Sequence, residues 1–382
     1  MMRRKFKLVV FLFCSQMLFS QGFNFSGYLA NFFIYQSLKE DFTKLFGVGE
    51  NLFVDISRVR LRPEFDLGLD TKIYMEYEIS ALYLSSSTFF NQYDPTPKRQ
   101  ILKLKWWLKR GTNYNVYHFI DRLYIRKDFE IGNIAIGRQR ISWGTGRVWN
   151  PTDLFNPVSP SNFAKFEKDG VDVVSLKFYL GSLSDLNFIY NPTNKLKEGN
   201  FGLRLKVNYK GFDISSVSGY FDREIIVGFD FVGSIFNAGV RGEGAMFAKK
   251  NGTGSNFFKL SMGFDNQFTR NLYALFEYHF NGEGKSDKNE YEIQLLMNRE
   301  VLNLSRNYLF MSIIYNVNPV LTISSSFNQN LNDGSGFINL NATLLTSDNS
   351  ESMLGFIYFY GTKGSEYWYY SSSLFLKVQF YF

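Results

Sequence analysis

The sequence predicts an all-β fold, an antiparallel transmembrane β-barrel of about 18 strands with short turns at one end and long loops at the other. Three observations carry this reading. Apolar and polar residues alternate with a period of two over most of the chain, as strands with two different faces require. Aromatic residues make up 19% of it, with 42 Phe and 24 Tyr, which excludes disorder and suits the aromatic girdles of a barrel. After residue 21 the longest apolar run is five residues, 356–360, whereas a spanning helix needs about 20.

The elements follow in chain order. Arg3, Arg4, Lys5 and Lys7 precede the apolar stretch 8–14, extended by Met17, Leu18 and Phe19, and Ser20 is a small residue at a plausible cleavage point. Residues 1–20 therefore read as a secretory signal peptide, and 21–382 as one barrel domain. The single cysteine, Cys14, leaves with that segment, so no disulfide, thiolate metal site or cysteine nucleophile is expected. Loss of those four cations takes the formal charge from +7 to +3, and basicity gives no argument for nucleic acid.

In the body, Val59, Leu61, Pro63, Phe65 and Leu67 alternate with Arg58, Arg60, Arg62, Glu64 and Asp66. Ile73, Met75, Tyr77 and Ile79 alternate with Lys72, Tyr74, Glu76 and Glu78, and Leu102, Leu104 and Trp106 with Lys103, Lys105 and Trp107. Phe201, Leu203 and Leu205 alternate with Gly202, Arg204 and Lys206. Strands fall near 23–35, 53–67, 72–84, 101–109, 116–128, 134–141, 170–180, 184–191, 200–209, 211–221, 224–232, 235–248, 257–267, 272–281, 290–297, 307–317, 319–328, 336–346, 352–361 and 371–382. Two stretches, 101–128 and 282–306, break the alternation of direction, and each is expected to hold a loop hairpin in place of a spanning strand. The count is therefore 18, with 16 and 20 open; residues 290–304 are also the best helical stretch. Short connectors such as 68–71 and 269–271 contrast with long polar ones such as 36–52, 85–100 and 142–169, the asymmetry of short periplasmic turns and long outer loops.

A soluble β-sandwich would also alternate, but it does not usually set five charges in sequence on one strand or aromatics on nearly every strand. In a barrel the apolar face meets outer-membrane lipid and the charged face a water-filled lumen. The last strand carries Leu374, Leu376, Val378, Phe380 and Phe382 on one face. It resembles the closing strand of bacterial outer-membrane proteins, whose terminal aromatic residue is read by the barrel-assembly machinery. That resemblance implies the same partner and a bacterial outer-membrane location.

The distinctive segment runs from Gly137-Arg138-Gln139-Arg140 through Trp143, Gly144, Gly146, Arg147, Asn150, Pro151 and Asp153 to Asn156 and Pro157. Proline removes a ladder donor and fixes φ, so strand structure stops by Asn150. The two Asn-Pro steps initiate turns, Asp153 is suited to bonding local backbone, and the glycines allow close approach. No helix start or third glycine follows, so this is not a nucleotide loop. The segment resembles that of outer-membrane porins, in which a strand ending in Gly-Arg-Gln leads into a loop folded back into the lumen. It is more similar still to the alginate-export and porin-like barrels, which carry Gly-Arg-Gln, Trp-Gly and an Asn-Pro-x-Asp turn. Thr145 stands where the closest form has an acidic residue. The resemblance implies that residues 142–169 enter and narrow a pore.

Arg138, Arg140 and Arg147 then either line a constriction that selects anionic or polyhydroxylated solutes, or pair with Glu167, Asp169 or Asp172 to hold the loop. Arg58, Arg60, Arg62, Lys103, Lys105, Arg122 and Arg126, with Glu64, Asp66, Glu76 and Glu78, fall on the polar, pore-lining face. Such arcs of charge either impose a transverse field or brace the wall. His118 and His279 are both read onto that face, and no Gly-x-Ser-x-Gly or His-Glu-x-x-His motif accompanies them, so no catalysis, metal or cofactor is expected. Three functions remain: a diffusion channel for small polar solutes, anions among them; a dedicated barrel for a polymer or hydrophobic solute; and a non-conducting surface barrel that binds a partner. An open lumen favours the first, a plugged lumen or lateral opening the second, and a lumen filled by paired side chains the third. A homo-oligomer is compatible with the class.

Overall fold

The computed structural model describes residues 22–46, 48–86, 99–155, 167–193, 199–249, 255–297 and 301–382. The expected signal segment, Asn156 and Pro157 lie outside the described residues. The strands are β1 (Phe23–Ser37), β2 (Asn51–Asp66), β3 (Thr71–Leu84), β4 (Lys105–Arg110), β5 (Tyr114–Phe129), β6 (Gly132–Gln139) and β7 (Val171–Tyr179). Then come β8 (Asp185–Asn191), β9 (Asn200–Tyr209), β10 (Phe212–Phe221), β11 (Glu224–Ile235), β12 (Ala238–Lys249) and β13 (Phe257–Gln267). The chain continues with β14 (Leu272–Asn281), β15 (Asn307–Asn316), β16 (Leu321–Asn330), β17 (Gly336–Ser347), β18 (Ser350–Tyr360) and β19 (Ser372–Tyr381). Two short helices, α1 (Glu40–Phe46) and α2 (Ile293–Met297), lie in loops.

Each strand pairs antiparallel with its neighbours, and β1 pairs with both β2 and β19, so the sheet closes into a ring. The closed ring has 18 strands, because β3 pairs directly with β5 and β4 is a side branch. β4 lies against residues 115–119 of β5, while β6 occupies the same edge of β5 from Leu123 to Phe129. The expected strand at 101–109 is thus a short hairpin arm. The expected strand at 290–297 is a correction: a 3-10 turn at Lys288–Glu290 and α2 stand there. At the closing seam Gly27 and Phe382 exchange backbone hydrogen bonds of 2.9 and 3.1 Å.

Short turns gather at the end of the barrel that holds this seam. Between β9 and β10 the two central residues, Lys210 and Gly211, both have positive φ (50° and 83°), the backbone whose twist suits a two-residue hairpin. The long loops lie at the opposite end.

The faces divide as the alternation requires. On β19, Leu374, Leu376, Val378 and Phe380 are 40–47% exposed and point outward, while Phe375, Lys377 and Gln379 are buried inside. An outer surface this apolar requires lipid around it. The inner face is less uniform than the sequence reading expects. On β2 the inward residues are Leu52, Val54 and Ile56 at the loop end and Arg58, Arg60, Arg62 and Glu64 below them. Part of the loop half of the interior is therefore an apolar cluster, shared with Phe32, Ile34, Leu82 and Phe337, where the alternation alone predicts a polar wall.

A register shift between Glu76 and Tyr77 against β5 puts both Asp121 and Arg122 inside and moves the upper half of β5 out of phase. His118 consequently faces outward, where it meets the Tyr77 hydroxyl at 2.9 Å and stacks on Trp106. Its placement on the lumen face is corrected; His279 does lie inside, stacked on Trp149.

The loop between β18 and β19 dips into the mouth. There Glu366, fully buried, accepts hydrogen bonds from the Tyr308 hydroxyl and, at 3.2 Å, from Asn330. Burial pushes its carboxyl up to about 7, with nearby Asp333 adding to the effect. A raised carboxylate favours the docked loop fully below its ordinary value near 4.5, and that contribution is lost as the pH climbs through about 7. Protection against hydrogen exchange across residues 361–371, taken relative to the intrinsic base-catalysed rate at each pH, is expected to be lower at pH 8.5 than at pH 6, and Glu366→Gln to remove the difference. Equal protection at both pH values in the unaltered protein would refute this.

Candidate functional site

The chain leaves the wall at Gln139 and crosses the barrel. Trp149 reaches the far side, with its ring centroid 5.1 Å from that of His279 on β14 and 5.8 Å from that of Tyr308 on β15. Two wall glutamates hold the crossing. Glu243 on β12 accepts from the backbone N–H groups of Thr145 (3.2 Å), Gly146 (2.6 Å) and Thr152 (3.0 Å), and from the Thr152 hydroxyl (2.6 Å). Glu277 on β14 accepts from Arg147 (2.8 Å), Val148 (3.2 Å) and Trp149 (2.8 Å). A carboxylate offers about four acceptor sites, and here they fill the backbone valences of a segment that has no ladder.

This explains the spacing of the motif. Gly144 has φ +86°, and a Cβ there would come within 2.8 Å of a Glu243 oxygen; a Cβ on Gly146 would meet the Trp149 carbonyl at 2.0 Å. Asp153 donates its N–H to Asn150 (3.0 Å), closing the Asn-Pro turn, while its carboxylate pairs with Lys168. Trp143 and Phe155 pack edge to face in a second buried cluster, against Gly202 of β9, where a Cβ would lie 2.8 Å from the indole.

The two ends of the loop are tied by charge. Arg138 is 2% exposed and forms a double hydrogen bond with Asp172 (2.7 and 3.1 Å), so it points into the wall and not into a pore. Arg60, 4% exposed, contacts Glu78 (3.0 Å), Glu76 (3.0 Å), Asp121 (3.1 Å) and Glu167 (2.7 Å). Arg62 also pairs with Glu167, and Arg122 lies 3.6 Å from Glu76 and Asp121. Glu76, Asp121 and Glu167 thus converge. Guanidinium groups already occupy the oxygens that a cation would need, so the cluster reads as an ion-pair network.

The remaining sequence-predicted residues are dispersed. Arg58 is half-buried, 3.7 Å from Glu78. Glu64 pairs with Lys72 (2.9 Å), Arg126 with Asp128 (2.6 Å), and Asp66 accepts from Gly68, all toward the short-turn end. Lys103 is exposed in the segment before β4, and Lys105 lies 4.6 and 4.5 Å from the rings of Trp107 and Tyr117. These do not form a constriction. Arg140 and Arg147 are the exposed cations of the crossing segment. Among the described residues most cations of the inner face stand against carboxylates on neighbouring strands, so they form no opposed arcs of unpaired charge.

Above the crossing, on the loop side, lies a cavity of about 180 Å³. Trp149, Pro151 and Leu154 line it from the loop, and Phe221 and Phe247 from the wall. The pairs Arg99–Asp222 (2.8 Å) and Lys259–Glu283 (3.0 Å) stand at it. The buried indole Nε1 of Trp149 finds no hydrogen-bond partner among the described residues.

The comparisons with solved structures bear on this architecture. OccAB3 of Acinetobacter baumannii superposes with a TM-score of 0.59 at 10% identity, over 94% of this chain and 99% of that one. OccAB2 of the same organism gives 0.55 at 9% identity, over 94% and 98%. A mutant Rh. blastica porin gives 0.50 at 8% identity, over 94% and 100%. This chain has the outer-membrane porin fold. No protein family matches the sequence, and no curated protein does. The match is one of barrel architecture and runs over nearly the whole of each chain.

Proposed function

We propose that the chain is a bacterial outer-membrane channel for small polar solutes, narrowed by residues 140–155 to a selective passage and not open as a wide diffusion pore. The observation that carries this is the clamp: Glu243 and Glu277 hold the in-folded segment across the barrel and leave a cavity on its outer side. That cavity has aromatic walls, charged pairs at its rim and an unfilled indole donor, a set that suits a solute with both an apolar face and acceptor oxygens. Because Arg60, Arg122 and Arg138 stand against carboxylates, charge preference is expected to be weak, and the anion filter read from the sequence rests on Arg140 and Arg147 alone.

A second reading, a barrel that does not conduct, is favoured by the two apolar clusters that occupy part of the loop half of the interior. Conductance of the refolded protein in a planar bilayer separates the two. Small discrete steps with a reversal potential near zero in a salt gradient are expected. Silence from protein shown to be folded by heat-modifiable mobility would overturn the channel reading.

A further inference from the structure

The wall is interrupted at the loop end. β18 runs to Tyr360, yet its ladder with β19 stops at Ile357↔Ser373, because residues 361–371 turn into the mouth. Tyr358, Phe359 and Tyr360 therefore face Ser37, Leu38 and Lys39 across a crevice of about 400 Å³, with Trp368 and Ser372 also lining it. Phe359 is packed in the inner apolar cluster and closes the crevice toward the lumen. Tyr358 points outward, 49% exposed, in line with Phe356 (43%) and Leu374 (47%). The crevice thus opens onto the lipid-facing surface at the height where tyrosine and tryptophan meet headgroups.

Among the described residues the cation that lines it is Lys39, which is half-buried. The ammonium donates to the Trp368 carbonyl and lies 5.0 Å from the Trp368 ring centroid. Among the described residues it pairs with no carboxylate, and burial lowers its pKa. Lys363 approaches the same ring at 5.9 Å, and its partner, Asp41 at 2.7 Å, is itself 47% exposed. The neighbouring Glu40 is engaged by Lys44 at 2.5 Å. A partly desolvated ammonium without a counter-ion, beside a second lysine, attracts an anion more strongly than either would in water.

We propose that this crevice binds the phosphate headgroup of an anionic lipid. Lys39 contacts the phosphate oxygens, Lys363 flanks them, and the acyl chains run down past Tyr358, Phe356 and Leu374. A free phosphate would satisfy the lysines equally but would leave the apolar side of the crevice unused; the continuity with the lipid-facing strip favours the lipid.

The test is native mass spectrometry of the refolded barrel in a neutral detergent, titrated separately with phosphatidic acid, diacylglycerol and inorganic phosphate. One phosphatidic acid per barrel is expected to be retained, and diacylglycerol not. Lys39→Gln is expected to weaken retention about tenfold, as loss of one charge-assisted hydrogen bond does, and Lys39→Arg to keep it. Heat-modifiable mobility of both variants separates lost binding from lost folding. Equal retention of diacylglycerol, or full retention by folded Lys39→Gln, would overturn the site. Inorganic phosphate competing at equal concentration would overturn the lipid assignment.

Discussion

Replacing Glu243 and Glu277 together by alanine is expected to raise single-channel conductance several-fold and to make it noisy, while the barrel still folds. Among the described residues the two carboxylates accept from six backbone N–H groups between Thr145 and Thr152. A buried donor left without a partner costs about 1–3 kcal/mol, so the crossing segment would trade its docked position for water. The wall itself keeps its ladders, since β12 and β14 are paired along both edges. Glutamine is a poor substitute because its amide offers one acceptor oxygen and points two donors at N–H groups. An unchanged conductance in the double variant would mean that the apolar clusters alone hold the segment, and the clamp would lose its functional meaning.

Arg60→Leu is expected to destabilise the barrel by about 3–5 kcal/mol, the usual cost of removing one partner from a buried ion pair. Arg60 sits beside four carboxylates, and without it buried Glu78 is left with Arg58 at 3.7 Å and buried Asp121 with Arg122 at 3.6 Å. Arg60→Lys is expected to rescue little, since a single ammonium cannot address Glu78 through Nε, Glu76 and Glu167 through Nη1 and Asp121 through Nη2. Urea titration followed by heat-modifiable mobility measures this. A midpoint equal to that of the unaltered protein would show that water or relaxed side chains compensate the charges. The return of the in-folded segment depends on the same cluster, through Glu167 and through the Gly170 N–H bonded to Asp121 (3.1 Å), so partial unfolding is expected to begin there.

The motif at 137–155 is legible in the sequence because glycine, proline and tryptophan punctuate a chain that otherwise alternates. The residues that receive it are not. Glu277 falls on the polar face of its strand, and Glu243 lies in Arg241-Gly242-Glu243-Gly244, but nothing local marks either as an anchor. A usable signal was present on the opposite partner surface: Gly202 and Gly228 sit on inward faces where a strand gains nothing from glycine, and each leaves room for a loop side chain, Trp143 and Thr152 respectively. Arg138 illustrates the reverse case. Its motif suggests a pore residue, and its burial against Asp172, 34 positions away, makes it a brace.

The sequence by itself determined the antiparallel barrel and the stretch in which the chain leaves the wall, and it put the strand count at 18 with 16 and 20 open; the pairing of β3 with β5 decided 18. The barrel and the exit depend on side-chain period and on backbone punctuation, which act between neighbours in the chain. Only the tertiary structure decided that part of the loop half of the interior is apolar, that His118 faces lipid, that Arg60, Arg122 and Arg138 stand against carboxylates and that Glu243 and Glu277 bear the crossing segment. Each of these depends on which strand stands opposite which across the barrel, a distance set by closure and by one register shift in β3 and β5, and neither is written in the alternation of a single strand.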